Sequence, residues 1–334
     1  MNILVVRNHN QIGDMLCSLP LYRALKMKYP QSSITLVASP TNYSIPFNKI
    51  NPFIDKVIFY DKSSIKTIIN FYKKIRQKKY RLGIVPSTVK ISTTSHIINY
   101  LSGAKQRIGV RSIDGVKNSS AFLLNTSEDF HWVKNKVHQK DRNLQIARLA
   151  GCELPDDKEE FRLKISLEDQ EFSDKFIKQN FPGNKKLIIG FHPGAGKAMN
   201  TWSTNNYLNL IDELYKKYNN YILITCGEID KEVINKIKEG LLRKEIKYTM
   251  AENLPILQLA AVLGRINLYI TNDTGPMHIA AMTNVKQISL ILHSNIYEWA
   301  PAGENKYNLS SESEDINKIK LDDVLALCDK ILME

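Results

Sequence analysis

Three polar loops of this 334-residue chain carry side chains that could do chemistry, and each follows a short apolar run and precedes a helical pattern. The first loop reads Asn10-Gln11-Ile12-Gly13-Asp14. A carboxylate at this place could accept a proton from a hydroxyl group, which would make Asp14 a general base. It could equally cap the helix that follows. The residues of this loop alone leave both interpretations open.

The other two loops have the composition of anion-binding sites. The second reads His192-Pro193-Gly194-Ala195-Gly196-Lys197, where small residues let a phosphate approach backbone N–H groups and the lysine adds positive charge. The third reads Asn272-Asp273-Thr274-Gly275-Pro276-Met277-His278 and opens a helix whose first amides could hold a diphosphate. Neither loop has the spacing of a P-loop. A helix start capped by Asp273 or Thr274 is the alternative interpretation of the third loop.

Strand-like and helix-like segments alternate along both halves of the chain, as in a doubly wound α/β protein. Apolar runs typical of strands buried on both faces of a parallel sheet are predicted at Ile3–Val6, Ser33–Ala38, Lys56–Tyr60, Leu82–Val85, Leu187–Phe191, Tyr221–Thr225, Leu268–Thr271 and Gln287–Leu292. Helical patterns cover Asp14–Lys28, Ile65–Lys79, Thr204–Tyr218, a stretch from Asp230 and Leu321–Met333.

The length and the repeated pattern predict two domains, residues 1–160 and 161–320. A charged linker is expected near Pro155–Lys164, and the C-terminal segment 321–334 could pack back onto the first domain. Two such domains facing each other would place a ligand cleft between the carboxyl ends of both sheets.

The charge is distributed unevenly along the chain. Residues 1–160 hold 25 Lys+Arg against 12 Asp+Glu, a net charge of +13, and the remainder holds 21 against 22, a net charge of −1, which together give +12. A basic half predicts an anionic partner, and a lysine-rich genome is the alternative explanation. In the helix Ile65–Lys79, residues Ile65, Ile68, Ile69, Tyr72 and Ile75 are predicted to face the sheet, with Lys66, Lys73, Lys74, Lys78 and Lys79 turned outward.

Several classes of protein are disfavoured. No stretch of eighteen apolar residues exists, and the N-terminus lacks the pattern of a signal peptide, so a cytoplasmic protein is expected. The four cysteines lie far apart without metal spacing, which predicts neither disulfides nor a zinc site. No D-x-D motif exists, and we expect no metal and no cofactor.

Taken in order along the chain, the three loops resemble those of glycosyltransferase family 9, the ADP-heptose:lipopolysaccharide heptosyltransferases. The strongest similarity lies in Ile12-Gly13-Asp14, in His192-Pro193-Gly194-Ala195-Gly196 with Trp202, and in the segment from Asn272 to Ala281. Weaker similarity fills the gaps at Arg107-Ile108-Gly109, Asp141-Arg142-Asn143-Leu144 and Trp299-Ala300-Pro301.

The resemblance implies a GT-B fold, in which two Rossmann-like domains face a central cleft. It implies that the first domain binds the acceptor and the second the nucleotide-diphosphate sugar, and that transfer inverts the anomeric carbon without a metal. The implied reaction moves a heptose, with ADP-heptose as donor, onto a lipopolysaccharide core or related surface glycan. The partners would be that donor, an anionic glycolipid or oligosaccharide and, peripherally, the inner face of the inner membrane, with no nucleic acid.

The resemblance also assigns roles to residues. Asp14 matches the catalytic base. Acceptor binding would fall to Asn10, Gly13 and Arg111. The residues implied to bind the donor are His192, Gly194, Ala195, Gly196, Lys197, Asn200, Glu228, Asp230, Asp273, Thr274, Gly275, Pro276 and His278. Two positions depart from the family: Asn200 stands where members often carry a lysine, and His293-Ser294-Asn295 replaces a Gly-Pro-Thr-like turn.

Four alternatives stay open. A relative in the same family could use another nucleotide sugar for capsule or other surface glycan, and a non-enzymatic sugar- or nucleotide-binding relative is also possible. A dinucleotide-dependent oxidoreductase is disfavoured because the first loop lacks G-x-G-x-x-G. A nucleic-acid-binding protein would explain the basic half, but no recognition module accompanies the charge.

Overall fold

The computed structural model describes residues 1–8, 11–40, 45–155, 161–183 and 186–333. The chain divides into two compact units, Met1–Glu159 and Glu160–Glu334. The charged residues 156–160 of the expected linker lie outside the described residues. In the part of the chain that is described, no helix is both long and apolar enough to cross a membrane.

The first unit is built on a seven-stranded sheet in the order β3-β2-β1-β4-β5, with β7 parallel beside β5 and the short β6 antiparallel at the end of β5. Its strands are β1 Asn2–Val6, β2 Ser33–Ala38, β3 Lys56–Phe59, β4 Leu82–Ile84, β5 Gln106–Ile113, β6 Val116–Lys117 and β7 Thr126–Phe130. Residues 3–6 of β1 are at most 1% exposed, because helices cover both faces of the sheet.

The helices of the first unit are α1 Ile12–Cys17, α2 Leu19–Lys28, α3 Phe47–Ile50, α4 Ile65–Arg76, α5 Thr93–Leu101 and α6 Gln139–Arg148. Phe71 and Ile75 of α4 and Ile98 of α5 share one core with Leu4 and Val6 of β1. The β1–β2 and β3–β4 crossovers run in opposite directions across the sheet. Connections between parallel strands are right-handed, so α2 lies on the face of the sheet opposite α4 and α5. α6 packs against α2 on that face.

One predicted helix is divided into two. The sequence predicted a continuous helix over Asp14–Lys28, but α1 ends at Cys17 and α2 begins at Leu19. Pro20 explains the break, because its ring lacks an N–H and would clash with the carbonyl of Leu16 in a continuous helix. Ser18 closes the first helix by donating its hydroxyl to the Met15 carbonyl at 2.7 Å.

The outward face of α4 also differs from the prediction. Ile65 and Ile69 are 78% and 48% exposed, whereas Phe71 and Ile75 are buried against the sheet. The reason is aromatic packing, since the Phe71 ring meets Tyr60 edge-on with centroids 4.8 Å apart and so fixes the rotation of the helix.

The second unit is built on a six-stranded sheet in the order β10-β9-β8-β11-β12-β13, parallel throughout. Its strands are β8 Ile188–His192, β9 Tyr221–Cys226, β10 Thr249–Glu252, β11 Leu268–Asn272, β12 Lys286–Leu290 and β13 Lys306–Leu309. Counted within the unit this order is 3-2-1-4-5-6, the Rossmann order. The first unit has the same order in its strands β3-β2-β1-β4-β5-β7.

The helices of the second unit are α7 Leu167–Asn180, α8 Thr204–Tyr218, α9 Lys231–Arg243, α10 Ile256–Leu263, α11 Gly275–Ala281, α12 His293–Trp299 and α13 Leu321–Met333. The C-terminal helix α13 packs on α8, where Lys217 and Tyr218 contact the Asp329 carboxylate at 2.7 and 2.5 Å. Trp202 is fully buried and donates its indole N–H to the Ile319 carbonyl. α13 therefore closes the core of the second unit.

Candidate functional site

The second and third polar loops meet in the second unit. They follow β8 and β11, which are neighbours at the place where the strand order reverses, and open parallel sheets bind ligands at such switch points. The buried Asn272 side chain joins the loops by donating to the carbonyls of Pro193 and Gly194 at 2.9 and 3.2 Å. Its oxygen accepts from the backbone of Trp202 and the hydroxyl of Tyr207.

A buried polar layer supports the second loop from below. His192 is 3% exposed, with Nδ1 3.0 Å from both the carbonyl and the hydroxyl of Thr225. Its Nε2 lies 3.7 Å from the Asp230 carboxylate, which is 4% exposed and accepts from the Gly227 N–H at 2.7 Å. Burial lowers the pKa of His192, and the Asp230 charge opposes that shift.

The two glycines of the second loop have different surroundings. A Cβ on Gly194 would stand 2.0 Å from the Asp230 carboxylate, so the loop can lie this close to Asp230 only without a side chain there. A Cβ on Gly196 would meet no described atom within 4 Å. Gly196 and Lys197 are exposed and Ala195 is half-buried, so this end of the loop is open to a ligand.

Polar side chains from the second loop, from the 3₁₀ turn that follows it and from α12 converge beside Asp273. Its carboxylate accepts from Asn295 at 2.8 Å, and its backbone carbonyl accepts from the buried Asn200 at 3.4 Å. Burial raises the pKa of Asp273, while Asn295 and the nearby charge of Lys197 act in the opposite direction. Lys197 therefore lies close enough to place its charge at the junction of the loops.

The start of α11 lies at the same junction. Thr274 is the N-cap residue, but its side chain makes no capping hydrogen bond within the described chain. Asp273 points to Asn295 instead, so neither residue acts as a side-chain cap. Thr274, Gly275 and Pro276 are half-buried. One turn on, the buried His278 ring packs edge-on against Trp299, with centroids 5.8 Å apart.

Two of the acidic residues predicted to bind the donor, Glu228 and Asp230, have different environments. Both belong to a 3₁₀ turn after β9, which spans Glu228–Asp230. Glu228 is exposed at the rim, whereas Asp230 belongs to the buried layer beneath Gly194. Of these two residues only Glu228 is exposed, and the Asp230 carboxylate occupies the space that a side chain at Gly194 would need.

Asp14 lies at the corresponding place in the first unit, after the carboxyl end of β1 and beside the β1–β4 switch point. It is the third residue of α1, whose N-cap position is Gln11, so Asp14 is not the helix cap. The Asp14 carboxylate is 19% exposed and lies 3.2 Å from an Arg7 guanidinium nitrogen. It is thus both accessible and oriented.

Arg7 connects Asp14 to α6. Its guanidinium is 5% exposed and donates to the Asn143 side chain at 2.9 Å as well as to Asp14. Asn143 in turn donates to the carbonyls of Gln139 and Cys17. Sequence reasoning did not assign this role to Arg7. The available signal was a basic residue directly after a buried apolar strand, which is a costly place for an unpaired charge.

The other predicted acceptor residues are placed less favourably. Asn10 lies outside the described residues, and Gly13 is buried in α1 beside Asp14. Arg111 is exposed on β5, which β4 separates from β1, and its guanidinium donates twice to Asp129 at 2.9 and 2.6 Å. This contact, with one from Ser112, holds the pKa of Asp129 down to about 2. Arg111 is therefore already paired with a carboxylate.

Two further observations concern metal binding and thiols. Across the described ranges, no group of three or more His, Cys, Asp or Glu side chains has an arrangement that could hold a metal ion. All four cysteines are free thiols and buried.

Comparison with known proteins gives consistent matches along the chain. The family model of glycosyltransferase family 9 (heptosyltransferase) matches residues 68–327. Lipopolysaccharide heptosyltransferase 3 of Escherichia coli (strain K12) is 24% identical over 355 residues, covering 96% of this chain and 96% of that protein.

Two solved structures show the same architecture. A family 9 glycosyl transferase from Veillonella parvula superposes with a TM-score of 0.80 at 18% identity, covering 99% of this chain and 97% of that one. The Escherichia coli ADP-heptose lps heptosyltransferase II gives a TM-score of 0.79 at 21% identity, covering 100% and 99%. These likenesses confirm the predicted GT-B fold of two Rossmann-like domains.

Proposed function

Because this chain belongs to glycosyltransferase family 9 and is a glycosyltransferase, we propose that it transfers a heptose from ADP-heptose to a lipopolysaccharide core or related surface glycan. The geometric observation that carries the proposal is Asp14, an accessible carboxylate held by a buried arginine at the switch point of the first unit. The names of the relatives supply the heptose, the ADP and the lipopolysaccharide.

In the proposed step, Asp14 accepts the proton of an acceptor hydroxyl as that oxygen bonds to the anomeric carbon of the donor. The bond between this carbon and the diphosphate oxygen breaks at the same time, and its electron pair leaves with the diphosphate. Attack opposite to the leaving group inverts the anomeric configuration. The first unit thus supplies the base and binds the acceptor.

The second unit would hold the donor. The charge of Lys197 and the first-turn amides at Thr274–Gly275 would face the leaving diphosphate, where positive potential lowers the barrier. Glu228, exposed at the rim, would accept from the ribose hydroxyls. We propose that these groups serve in place of a metal.

The proposal extends to the location of the enzyme. A core acceptor is a glycolipid, so the enzyme would work in the cytoplasm at the inner face of the inner membrane. The net charge of +13 on residues 1–160 suits both an anionic acceptor and an anionic bilayer.

The first test replaces the base. Asp14→Asn should lower kcat by about 10²–10⁴-fold while ADP binding to the second unit stays within twofold of wild type. The matched control is Asp55→Asn, because Asp55 also pairs with a basic residue, Lys26, but contacts the amino end of β2. Retention of more than a tenth of wild-type activity by Asp14→Asn would remove Asp14 as the base.

The second test concerns the donor and the metal. Transfer from ADP-heptose should exceed transfer from other nucleotide sugars, and it should persist in excess EDTA. Restoration of activity by Mg²⁺ or Mn²⁺ after chelation would overturn the metal-free step.

A different nucleotide sugar is the second candidate donor. It is favoured by Asn200, which replaces a family lysine, and by Asn295, which contacts Asp273 at the donor loops. A higher kcat/KM with another sugar nucleotide would establish that candidate instead.

A further inference from the structure

The first unit has an exposed apolar and basic face opposite α2 and α6. Its apolar members come from α4, α5 and the 3₁₀ turn Ala121–Leu123, and they will be called the α4–α5 face: Ile65, Ile69, Ile97, Tyr100 and Phe122. They are 78%, 48%, 41%, 50% and 81% exposed, respectively. Large apolar groups exposed together mark an interaction surface more strongly than scattered ones do.

Contacts show that these elements are neighbours. α4 and α5 share one core on the sheet, and Arg76 near the end of α4 donates to the Leu101 carbonyl at the end of α5. Arg107 joins α5 to the 3₁₀ turn, because its guanidinium lies over the Tyr100 ring at 5.3 Å and donates to the Leu123 carbonyl at 2.7 Å. The three elements that carry the α4–α5 face are therefore neighbours on one side of the sheet.

The chain segment that forms α4 and α5 carries basic residues and no acidic ones. Between Asp61 and Asp114 the chain contains twelve Lys+Arg and no Asp or Glu. Ten of the twelve are exposed, including Lys66, Lys73 and Lys74 on α4. A lysine-rich genome does not account for 52 consecutive residues without an acid, whereas an anionic surface as partner does.

On α4 the two kinds of side chain form adjacent stripes. Ile65, Ile69 and Tyr72 follow the i, i+4, i+7 spacing, and Lys66 and Lys73 lie next to them on the outward side. An apolar stripe bordered by lysines is the arrangement of a helix that lies in the plane of a membrane interface. Ile65 and Ile69, which the sequence predicted to face the sheet, are exposed instead, so this stripe adds apolar side chains to the lysines.

We propose that the α4–α5 face docks on an anionic membrane, with Ile65, Ile69, Ile97, Tyr100 and Phe122 entering the headgroup region while the lysines contact acidic lipid. This inference rests on the proposed peripheral membrane contact and specifies its surface. α4 runs from the carboxyl edge of the sheet, where Asp14 lies, to the amino edge. The contact would therefore place Ile65 at the membrane on the Asp14 side of the sheet.

Other occupants fit the face less well. A second copy of the chain would bring two basic faces together, which like-charge repulsion opposes. Single-stranded nucleic acid suits Tyr100 and Phe122, which could stack on bases, but three exposed isoleucines offer neither stacking nor hydrogen bonds.

The test measures co-sedimentation with phosphatidylcholine vesicles, with and without phosphatidylglycerol. The full chain should bind only the anionic vesicles. Ile65→Ser/Ile69→Ser should weaken binding at least tenfold, and so should Lys73→Glu/Lys74→Glu, at about fivefold for each basic residue removed. The matched controls lie on α7 of the second unit: Leu167→Ser, which is 77% exposed in the wild type, and Lys175→Glu/Lys178→Glu.

A depth measurement identifies the inserting residues. A nitroxide on Ile65→Cys should become accessible to membrane-dissolved oxygen on anionic vesicles, whereas a nitroxide on Leu167→Cys should not. The four native cysteines are buried, which directs the label to the new site. A label at residue 65 that stays in water on bound protein would overturn the proposal.

Two other results would also overturn it. One is unchanged vesicle binding by both α4 variants. The other is tight binding of polyuridylate that these variants lose, without any vesicle binding by wild type. Vesicle binding needs neither donor nor acceptor, so failure here leaves the transfer reaction intact. Likewise, a chain that shows no heptosyl transfer could still bind vesicles through the α4–α5 face.

Discussion

At the scale of single residues, the feature with the largest functional consequence is the pairing of Arg7 with Asp14. A general base must be held in place before its substrate arrives, because misplacement by about 1 Å can lower a rate 10²-fold. Arg7 is buried and is itself fixed by Asn143, so it holds Asp14 from the side away from solvent. We assign Arg7 as a positioning residue.

Arg7→Met should therefore lower kcat by about 10²-fold and leave the affinity for ADP unchanged, because ADP is assigned to the other unit. Arg7→Lys should recover part of the loss, since a lysine keeps the charge but cannot bond Asp14 and Asn143 in the same fork. Kinetics below the unfolding temperature would measure kcat, and calorimetry would measure the affinity for ADP. The control is Arg148→Met, because Arg148 is exposed. A lower melting temperature with unchanged kcat would mean that Arg7 is structural only.

Lys197 is the residue expected to carry charge to the donor diphosphate. Lys197→Ala should weaken ADP binding about tenfold, equivalent to about 1.4 kcal/mol, which is the lower end for a lost charged hydrogen bond. Isothermal titration calorimetry would measure it. Lys186→Ala is the control, because Lys186 bonds Asn219 before the amino end of β8. Equal ADP affinity in both variants would leave Lys197 without a role in binding.

At the scale of elements, all eight strands predicted from apolar runs are present, with ends within one or two residues of those observed. The strands that were not predicted are β5, whose apolar residues are interrupted by Gly109 and Arg111, and the shorter β6, β7, β10 and β13. The last four lie at or near sheet edges, where partial exposure allows polar residues such as those of Thr126–Phe130 and Lys306–Leu309. Without a continuous apolar run, such strands give little signal before their partners are known.

The loops of the site were also identifiable from the sequence, but their connections were not. Asn272 bonds Gly194 across 78 residues, and Arg7 bonds Asn143 across 136. Local patterns contain no information on such pairs, which depend on the strand order. The same limit applies to Asp230, whose buried position beside Gly194 no local pattern indicates.

The contrast between Gly194 and Gly196 gives a prediction for the loop after β8. Gly194→Ala should destabilise the protein by about 1–3 kcal/mol and weaken ADP binding, because the new methyl group would displace Asp230 and with it the loop. Gly196→Ala should have little effect on stability, since the added methyl group meets open space. Thermal unfolding and calorimetry of both variants would test this. Equal stability would show that Asp230 moves aside freely.

At the scale of the whole molecule, each unit contains a buried histidine. His96 in the first unit bonds the Ser92 carbonyl and Asn118, and His192 in the second bonds Thr225. Burial lowers the pKa of both below the ordinary value of about 6.5. The unfolded chain therefore binds protons more readily than the folded chain at these two residues.

It follows that the contribution of these two histidines to the free energy of unfolding is at its full value above about pH 6.5 and falls as the pH drops below it, by at most about 1.4 kcal/mol per pH unit for each histidine. Melting temperatures between pH 5 and 7.5 would measure the slope. His192→Asn and His96→Asn should each flatten it, whereas the exposed His131→Asn should leave it unchanged. Slopes equal to wild type in both buried variants would contradict this account.

The three tryptophans lie in three different environments, which makes intrinsic fluorescence informative for this enzyme. Trp132 is buried in the first unit against Phe130, Trp202 is buried in the second unit, and the half-buried Trp299 lies against His278 at the donor loops. Variants that keep one tryptophan and replace the other two by phenylalanine would give separate emission signals. The Trp132 and Trp202 signals would each follow the melting of one unit, and the Trp299 signal would follow nucleotide binding.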